Sequence, residues 1–139
     1  MELKDIVAIN GKQGLFEIKA KSKSGIIVES LIDAKKFPVP ATHNISALNE
    51  IAIYTYDEEV PLRIVLKAIS EKENGNESIN PKESSKLLIS YFREILPNFD
   101  EERVYASNIK KMLQWYNLLV SKKFNFALIE EEDTANEEA

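Results

Sequence analysis

The chain has 139 residues, a formal net charge of −5 and no cysteine. This length is enough for one ordinary domain or two very small ones without cross-links. The absence of cysteine excludes disulfide frameworks, thiolate metal sites and cysteine nucleophiles, and it fits a reducing, cytoplasmic setting. The apolar runs are far shorter than the roughly 20 residues that cross a bilayer, and residues 1–5 are unlike a signal peptide. We therefore expect a cytoplasmic protein with no membrane partner.

The negative charge is concentrated at the C-terminal end. Residues 130–139 hold six acids and no base, so the rest of the chain is close to neutral. A segment this acidic, without core residues, predicts a disordered tail over residues 129–139. The near-neutral body gives no strong electrostatic indication of nucleic-acid binding.

The first half of the chain has the pattern of short strands joined by tight turns. Apolar and charged residues alternate from Leu15 to Ala20, as in a half-buried strand. Ser24-Gly25 predicts a hairpin turn into a second strand over residues 26–32. Further strands are predicted over residues 7–9, 37–40 and 51–55, and the prolines of the second confine it to a sheet edge. Five short strands with tight turns predict a small barrel.

The second half of the chain has helical spacing. Apolar residues three and four positions apart predict a first helix over residues 60–72. The polar, glycine-containing stretch 71–78 predicts a hinge or a disordered loop. Asn80, as the N-cap before a proline, predicts the start of a second helix that ends before Pro97. Ser107 predicts the N-cap of a third helix.

Several segments together resemble one protein family. They are Gly11-Lys12-Gln13-Gly14-Leu15-Phe16, Ile27-Val28-Glu29-Ser30-Leu31, Phe37-Pro38-Val39, Ser46-Ala47-Leu48, Ile51-Ala52-Ile53-Tyr54-Thr55, Arg103-Val104-Tyr105, Ser107-Asn108-Ile109-Lys110-Lys111 and Trp115-Tyr116-Asn117-Leu118-Leu119. The chain is similar in them to an uncharacterised family from Bacteroidetes, in which an SH3-like N-terminal domain precedes a helical C-terminal domain of unknown function. The resemblance covers most of the chain before the tail.

The resemblance implies an α+β fold and a bacterial, cytoplasmic setting. It implies a small SH3-like β-barrel over residues 1–57, followed by a three-helix domain over residues 58–128. The acidic tail over residues 129–139 lies beyond it. The resemblance brings no catalytic residues.

Lysines recur at every second position of one predicted strand. This spacing predicts three ammonium groups on one strand face, those of Lys19, Lys21 and Lys23. Lys35 and Lys36 lie in the turn after the following strand. Small barrels bind nucleic acid on such surfaces, with lysines contacting the phosphates. A solvated face, on which lysines prevent edge pairing, is the favoured alternative.

The third predicted helix carries the candidate partner-binding residues. Lys110, Gln114 and Asn117 form a polar stripe opposite the apolar face, and Trp115 is a candidate anchor for a protein partner. A solvent-exposed helix face, with Trp115 in the core, accounts for the same pattern. The segment between the second and third helices is too long for a helix-turn-helix.

No pattern of residues indicates a catalytic, metal or cofactor site. Gly11 and Gly14 have the spacing of a GxxG loop, but a strand follows at once, which favours a simple turn. His43, the single histidine, has Ser46 nearby, which is not sufficient for a catalytic triad. The acidic runs 57–59 and 100–102 lack metal-loop spacing and are better explained as helix-start charges.

These observations favour a non-enzymatic binding or adaptor protein that presents a barrel and helix surface to a protein partner. A nucleic-acid-binding barrel with a lysine-rich face is one alternative. A small enzyme is another, with a pocket between barrel and helices that contains His43, Tyr54 or Tyr56 together with acids from the start of the first helix. A homo-oligomeric scaffold is the third.

Overall fold

The computed structural model of the protein describes residues 2–129. Within them the fold is α+β, with a five-stranded antiparallel sheet, a two-stranded ribbon and three α-helices. In chain order the elements are β1 Ile6–Ile9, β2 Phe16–Ser22, β3 Gly25–Ser30, β4 Lys36–Pro40, β5 Ile45–Ala47, β6 Ala52–Ile53, β7 Val60–Pro61, α1 Leu62–Glu73, α2 Ser85–Ile95 and α3 Ala106–Ser121. Short 3₁₀ turns cover Leu3–Asp5, Leu48–Glu50 and Phe126–Leu128.

The sheet has the strand order β4-β3-β2-β1-β5. The predicted hairpin is confirmed, because Ser22 pairs with Gly25 and leaves Lys23 and Ser24 as a two-residue turn. The proline-containing strand β4 lies at one edge, as predicted from the missing amide donors of its prolines.

The predicted closed barrel is wrong. The last sheet strand is β5, and the segment 51–55, predicted as the fifth strand, does not join the sheet. Its β6 part pairs with β7, and Thr55 forms an isolated bridge with Phe99. The physical reason is the 3₁₀ turn before Ile51, after which the buried Ile53 joins the core formed with the helices.

The two faces of the sheet contribute to two apolar clusters. On one side the sheet packs with all three helices in a main core, to which β1 contributes Ile6. Val7 points to the other side, because successive side chains of a strand alternate. There it joins a smaller cluster with Ile9, Phe16, Val28 and Val39. The sheet and the helices therefore share one core.

The first two helices begin later than the spacing predicts. Val60 and Pro61 form β7, so α1 starts at Leu62. The N-cap of α2 is Ser84, whose Oγ accepts the Leu87 N–H at 3.3 Å. Asn80 instead closes a separate turn, in which its side-chain oxygen accepts the Lys82 N–H.

The start of α3 also differs from the prediction. The N-cap position is Tyr105, whose N–H donates to Asn108 Oδ1 at 2.8 Å. Ser107 therefore lies inside the helix and does not cap it. The side chain of Asn108, the third helical residue, therefore provides the acceptor for the N–H of the N-cap residue, without a hydroxyl cap.

The segment 71–78, predicted to be a hinge, is tied to α3. The Tyr116 hydroxyl donates to the Asn76 carbonyl at 2.6 Å. Asn117 Oδ1 accepts the Ser78 N–H at 2.8 Å. Two side chains of one helix thus hold this loop at Asn76 and Ser78.

The end of α1 is held against α2. The Tyr91 hydroxyl donates to Glu73 Oε2 at 2.5 Å, and Lys72 Nζ lies 2.6 Å from Glu94 Oε1. Burial, followed by the bond to Glu73, raises the pKa of Tyr91 well above its ordinary value of 10.0. The hydroxyl therefore stays protonated, and remains a donor to Glu73, throughout the neutral range.

The predicted tail begins one residue too early. Ile129 is buried, and its carbonyl accepts a hydrogen bond from Lys67 Nζ at 3.0 Å. Residues 130–139, the rest of the predicted disordered tail, lie outside the described residues. Among residues 2–129 no helix combines the length and the apolar character needed to cross a membrane.

Candidate functional site

Helix α3 lies at the junction of the sheet and the other helices. Its apolar side packs in the main core and includes Ile109, Leu113 and Tyr116. Trp115 is only 8 % exposed, and it lines three separate depressions in the surface. Trp115 is therefore a shared wall, and it is not a free aromatic anchor.

The first depression, here named the Ile32 groove, has a volume of about 420 Å³. Ile32 from the β3–β4 turn lies beside Leu118 of α3 and Pro81 of the preceding loop. Ile32 is 56 % exposed and places apolar surface at this groove. Polar side chains complete the lining: Gln13, Asn80, Lys82, Gln114, Asn117 and Ser121.

The second depression, here named the amide groove, adjoins the first and has a volume of about 460 Å³. The two share Gln13, Gly14 and Gln114 in addition to Trp115. Further polar lining comes from Asn10, Lys12, Asn44, Ser46 and Lys111. Among the described residues that line these two grooves, none carries a carboxylate.

The third depression, here named the tyrosine socket, is smaller, about 200 Å³. Its wall is largely apolar and consists of Ile51, Ala52, Ile53, Val104, Met112 and Trp115. Tyr54 and Arg103 also line it, and the Arg103 guanidinium carbon is 4.3 Å from the centre of the Tyr54 ring. This distance is that of a cation–π interaction.

The structure brings together three of the four predicted partner-binding residues. Gln114, Trp115 and Asn117 line the Ile32 groove, whereas Lys110 is exposed and lines none of the three depressions. Asn117 also holds the Ser78 amide, so its side chain has a structural role. Their binding role stays a prediction.

The predicted row of lysines on one strand face is wrong. Lys19 lies on the same face as Glu17, two residues before it. The register shift between Ile18 and Ala20 then pairs Lys21 with Ile26, whose side chain packs on the smaller apolar cluster. One extra residue in a strand reverses the faces beyond it, so Lys19 and Lys21 lie on opposite faces.

Carboxylates surround the first of these lysines. Lys19 Nζ lies 3.2 Å from Glu17 Oε1 and 3.9 Å from Glu29 Oε1. The hydrogen bond to Glu17 raises the pKa of Lys19. Lys36 is the ladder partner of Glu29, and Lys21, Lys23 and Lys35 are exposed. The nucleic-acid role of these lysines stays a prediction.

The groups named for the enzyme alternative do not meet in one depression. His43 is exposed, and its Nε2 lies 3.2 Å from the Asn10 carbonyl oxygen. It lines none of the three depressions, whereas Tyr54 lines the socket. The catalytic alternative therefore gains no support from these depressions.

The two acidic runs are not helix-start charges. Residues 57–59 precede β7, and no acid lies in the first turn of α1 or α3. Asp100 is buried and accepts hydrogen bonds from Arg103 Nε at 2.9 Å and from the Glu102 N–H at 3.0 Å. The bond from Arg103 is the main cause of a lowered pKa of Asp100. Within residues 2–129 no three acidic or histidine side chains are grouped to hold a metal ion.

The sequence did not indicate two surface features. Ile32 is the last residue of the predicted strand 26–32, and the exposure of Tyr54, Tyr56 and Tyr105 has no periodic signal. The turn that the sequence predicts over residues 33–36 begins earlier, because β3 ends at Ser30.

Two family models match successive parts of the chain. Residues 3–48 match a domain of unknown function (DUF5606), and residues 51–119 match a second domain of unknown function (DUF6852). No curated protein matches the chain. A solution NMR structure of a protein from Bacteroides vulgatus, a Northeast Structural Genomics Consortium target, is 41 % identical with a TM-score of 0.69. That match covers 94 % of this chain and 91 % of the other. The chain belongs to the family of the Bacteroides vulgatus protein, with DUF5606 in its N-terminal part and DUF6852 in its C-terminal part.

Proposed function

We propose that this protein is a non-enzymatic adaptor that receives an apolar side chain of a protein partner in the Ile32 groove. The observation that carries the proposal is the exposed Ile32 beside a groove of about 420 Å³. Leu118 and Pro81 extend the apolar surface, and Gln13 and Gln114 are polar. An apolar centre with a polar rim is the usual composition of protein interfaces.

The groove is built from both parts of the fold. Gly14 and Ile32 come from the sheet side, and Leu118 comes from α3. Because the sheet and the helices share one core, these walls hold their positions without a ligand. A preformed groove loses little conformational entropy on binding, which favours affinity.

The test is cross-linking from the groove in living cells. A photoreactive amino acid at position 32 is expected to cross-link one specific protein. The same amino acid at position 87 is the control, since Leu87 is 45 % exposed but belongs to α2 and does not line the groove. The purified partner is then titrated with Ile32→Glu, for which we expect an affinity loss of about tenfold or more.

Leu87→Glu is the matched control for that titration. It makes the same type of change at similar exposure, and a glutamate three residues after the N-cap Ser84 suits a helix start. We expect it to leave affinity unchanged. Cross-links only to a second copy of the chain, or equal effects of the two substitutions, would contradict the proposal.

A further inference from the structure

A second surface lies where the segment after β6 runs beside the segment before α3. The bridge between Thr55 and Phe99 joins them. Backbone hydrogen bonds flank this bridge, from Tyr56 N to Asn98 O and from Asp100 N to Tyr54 O, both at 3.0 Å. Thr55 and Phe99 are buried, so the two segments form a platform anchored in the main core.

Three tyrosines of these two segments are exposed. Tyr54, Tyr56 and Tyr105 are 41 %, 62 % and 61 % exposed. Arg103 lies over the Tyr54 ring, and the Tyr56 hydroxyl accepts the Glu101 N–H, so Tyr54, Tyr56 and Arg103 form what is here named the tyrosine ledge. Tyrosine and arginine are the residue types enriched at the energetic centres of protein interfaces.

The ledge is held in place before any partner binds. The Tyr56 hydroxyl accepts the Glu101 N–H at 3.1 Å. Arg103 stacks on the Tyr54 ring and is fixed from the other side by Asp100. Side chains that are already ordered lose less entropy on binding than free ones.

The two segments that form the ledge are rich in acidic residues. The segments 54–59 and 98–105 hold six acids and a single arginine: Asp57, Glu58, Glu59, Asp100, Glu101, Glu102 and Arg103. Arg103 is paired with Asp100, and Arg93 of α2 reaches Glu101 at 2.8 Å. The remaining carboxylates favour a positively charged partner and oppose a nucleic acid.

The tyrosine socket opens beside the ledge, with Tyr54 and Arg103 shared between them. Its apolar wall and its volume of about 200 Å³ suit one apolar side chain. Lys111 also lines it, with Nζ 5.8 Å from the centre of the Trp115 ring, which disfavours a cation inside the socket. The positive charges of a partner would therefore face the carboxylates around the ledge.

We propose that the tyrosine ledge and socket bind a lysine- or arginine-rich segment of another protein, with one apolar side chain of that segment in the socket. The proposal commits to a basic protein segment because aromatic anchors, an apolar socket and negative charge meet at one place. The ledge does not include Ile32. The ledge proposal can therefore be tested independently of the adaptor role proposed for the Ile32 groove.

The test is selection of a random library of short displayed peptides on the full-length protein. We expect the selected peptides to be enriched in lysine and arginine around one large apolar residue. The affinity of the best peptide, measured by fluorescence anisotropy, should fall about tenfold or more when its apolar residue is replaced by alanine. It should also fall with added salt, because exposed charges are screened.

Two charge-reversal variants locate the binding site on the protein. The double substitution Glu58→Lys and Glu59→Lys should lower the affinity for the selected peptide by about tenfold or more. The control double substitution, Glu71→Lys and Glu83→Lys, changes the net charge by the same amount at exposed positions elsewhere. It should lower the affinity for the peptide by less than about threefold. The proposal would be overturned if the selected peptides carried no excess of basic residues, or if the two double variants lowered the affinity equally. It would also be overturned if replacing the apolar residue of the peptide by alanine left the affinity unchanged.

Discussion

Gly25 begins β3 where the backbone of the neighbouring edge strand comes closest. Its φ is 156°, and a Cβ atom added to it would lie 2.1 Å from the Val39 carbonyl oxygen. That oxygen belongs to the β4 backbone, so it cannot turn aside as a side chain can. We expect Gly25→Ala to lower the free energy of unfolding by about 2–4 kcal/mol, as measured by urea denaturation.

Gly11→Ala is the matched control for this prediction. Gly11 also has a positive φ, 86°, but an added Cβ atom would meet nothing within 4 Å. The backbone conformation alone should cost about 1 kcal/mol. Equal losses for the two variants would show that the approach to Val39 contributes nothing.

At the scale of elements, the start of α2 is decided by which of two capping signals is used. Ser84 accepts the Leu87 N–H, whereas Asn80 closes the preceding turn. We expect Ser84→Ala to lower the free energy of unfolding by about 1 kcal/mol, because a helix-end N–H loses its acceptor. Ser107→Ala, inside α3, should change it by less than about 0.5 kcal/mol. A larger loss for Asn80→Ala than for Ser84→Ala would mean that α2 begins at Asn80.

At the scale of the whole molecule, the sheet and the helices depend on a common core. Trp115, the single tryptophan, lies in that core, so its fluorescence reports on the junction of the two parts. We expect one cooperative urea transition, with coincident curves from Trp115 fluorescence and far-ultraviolet circular dichroism. Two separated transitions would contradict this expectation and would indicate that the halves unfold independently.

The molecule also carries different charge around the two grooves and around the tyrosine ledge. The described residues lining the Ile32 and amide grooves include Lys12, Lys82 and Lys111 and no acid. The tyrosine ledge, in contrast, lies among carboxylates. From the two proposals we expect the grooves and the ledge to bind partners, or regions of one partner, that differ in charge.

The α+β class, the β2–β3 hairpin and the edge position of β4 could all be predicted from the sequence. These features depend on near neighbours: alternation over a few residues, a two-residue turn, and prolines that lack an amide donor. The polar stripe of α3 was likewise visible, and it led to Gln114 and Asn117 in the Ile32 groove.

Tertiary structure alone decided the open sheet, the faces of the lysines and the tyrosine ledge. The period-two spacing of the lysines does not reveal the bulge after Ile18, yet this bulge places Lys19 and Lys21 on opposite faces. The bridge between Thr55 and Phe99 joins residues far apart in the chain, and it creates the ledge. Side-chain periodicity records which way a residue faces within its own element, but a surface depends on which elements meet, and only packing of the common core determines that.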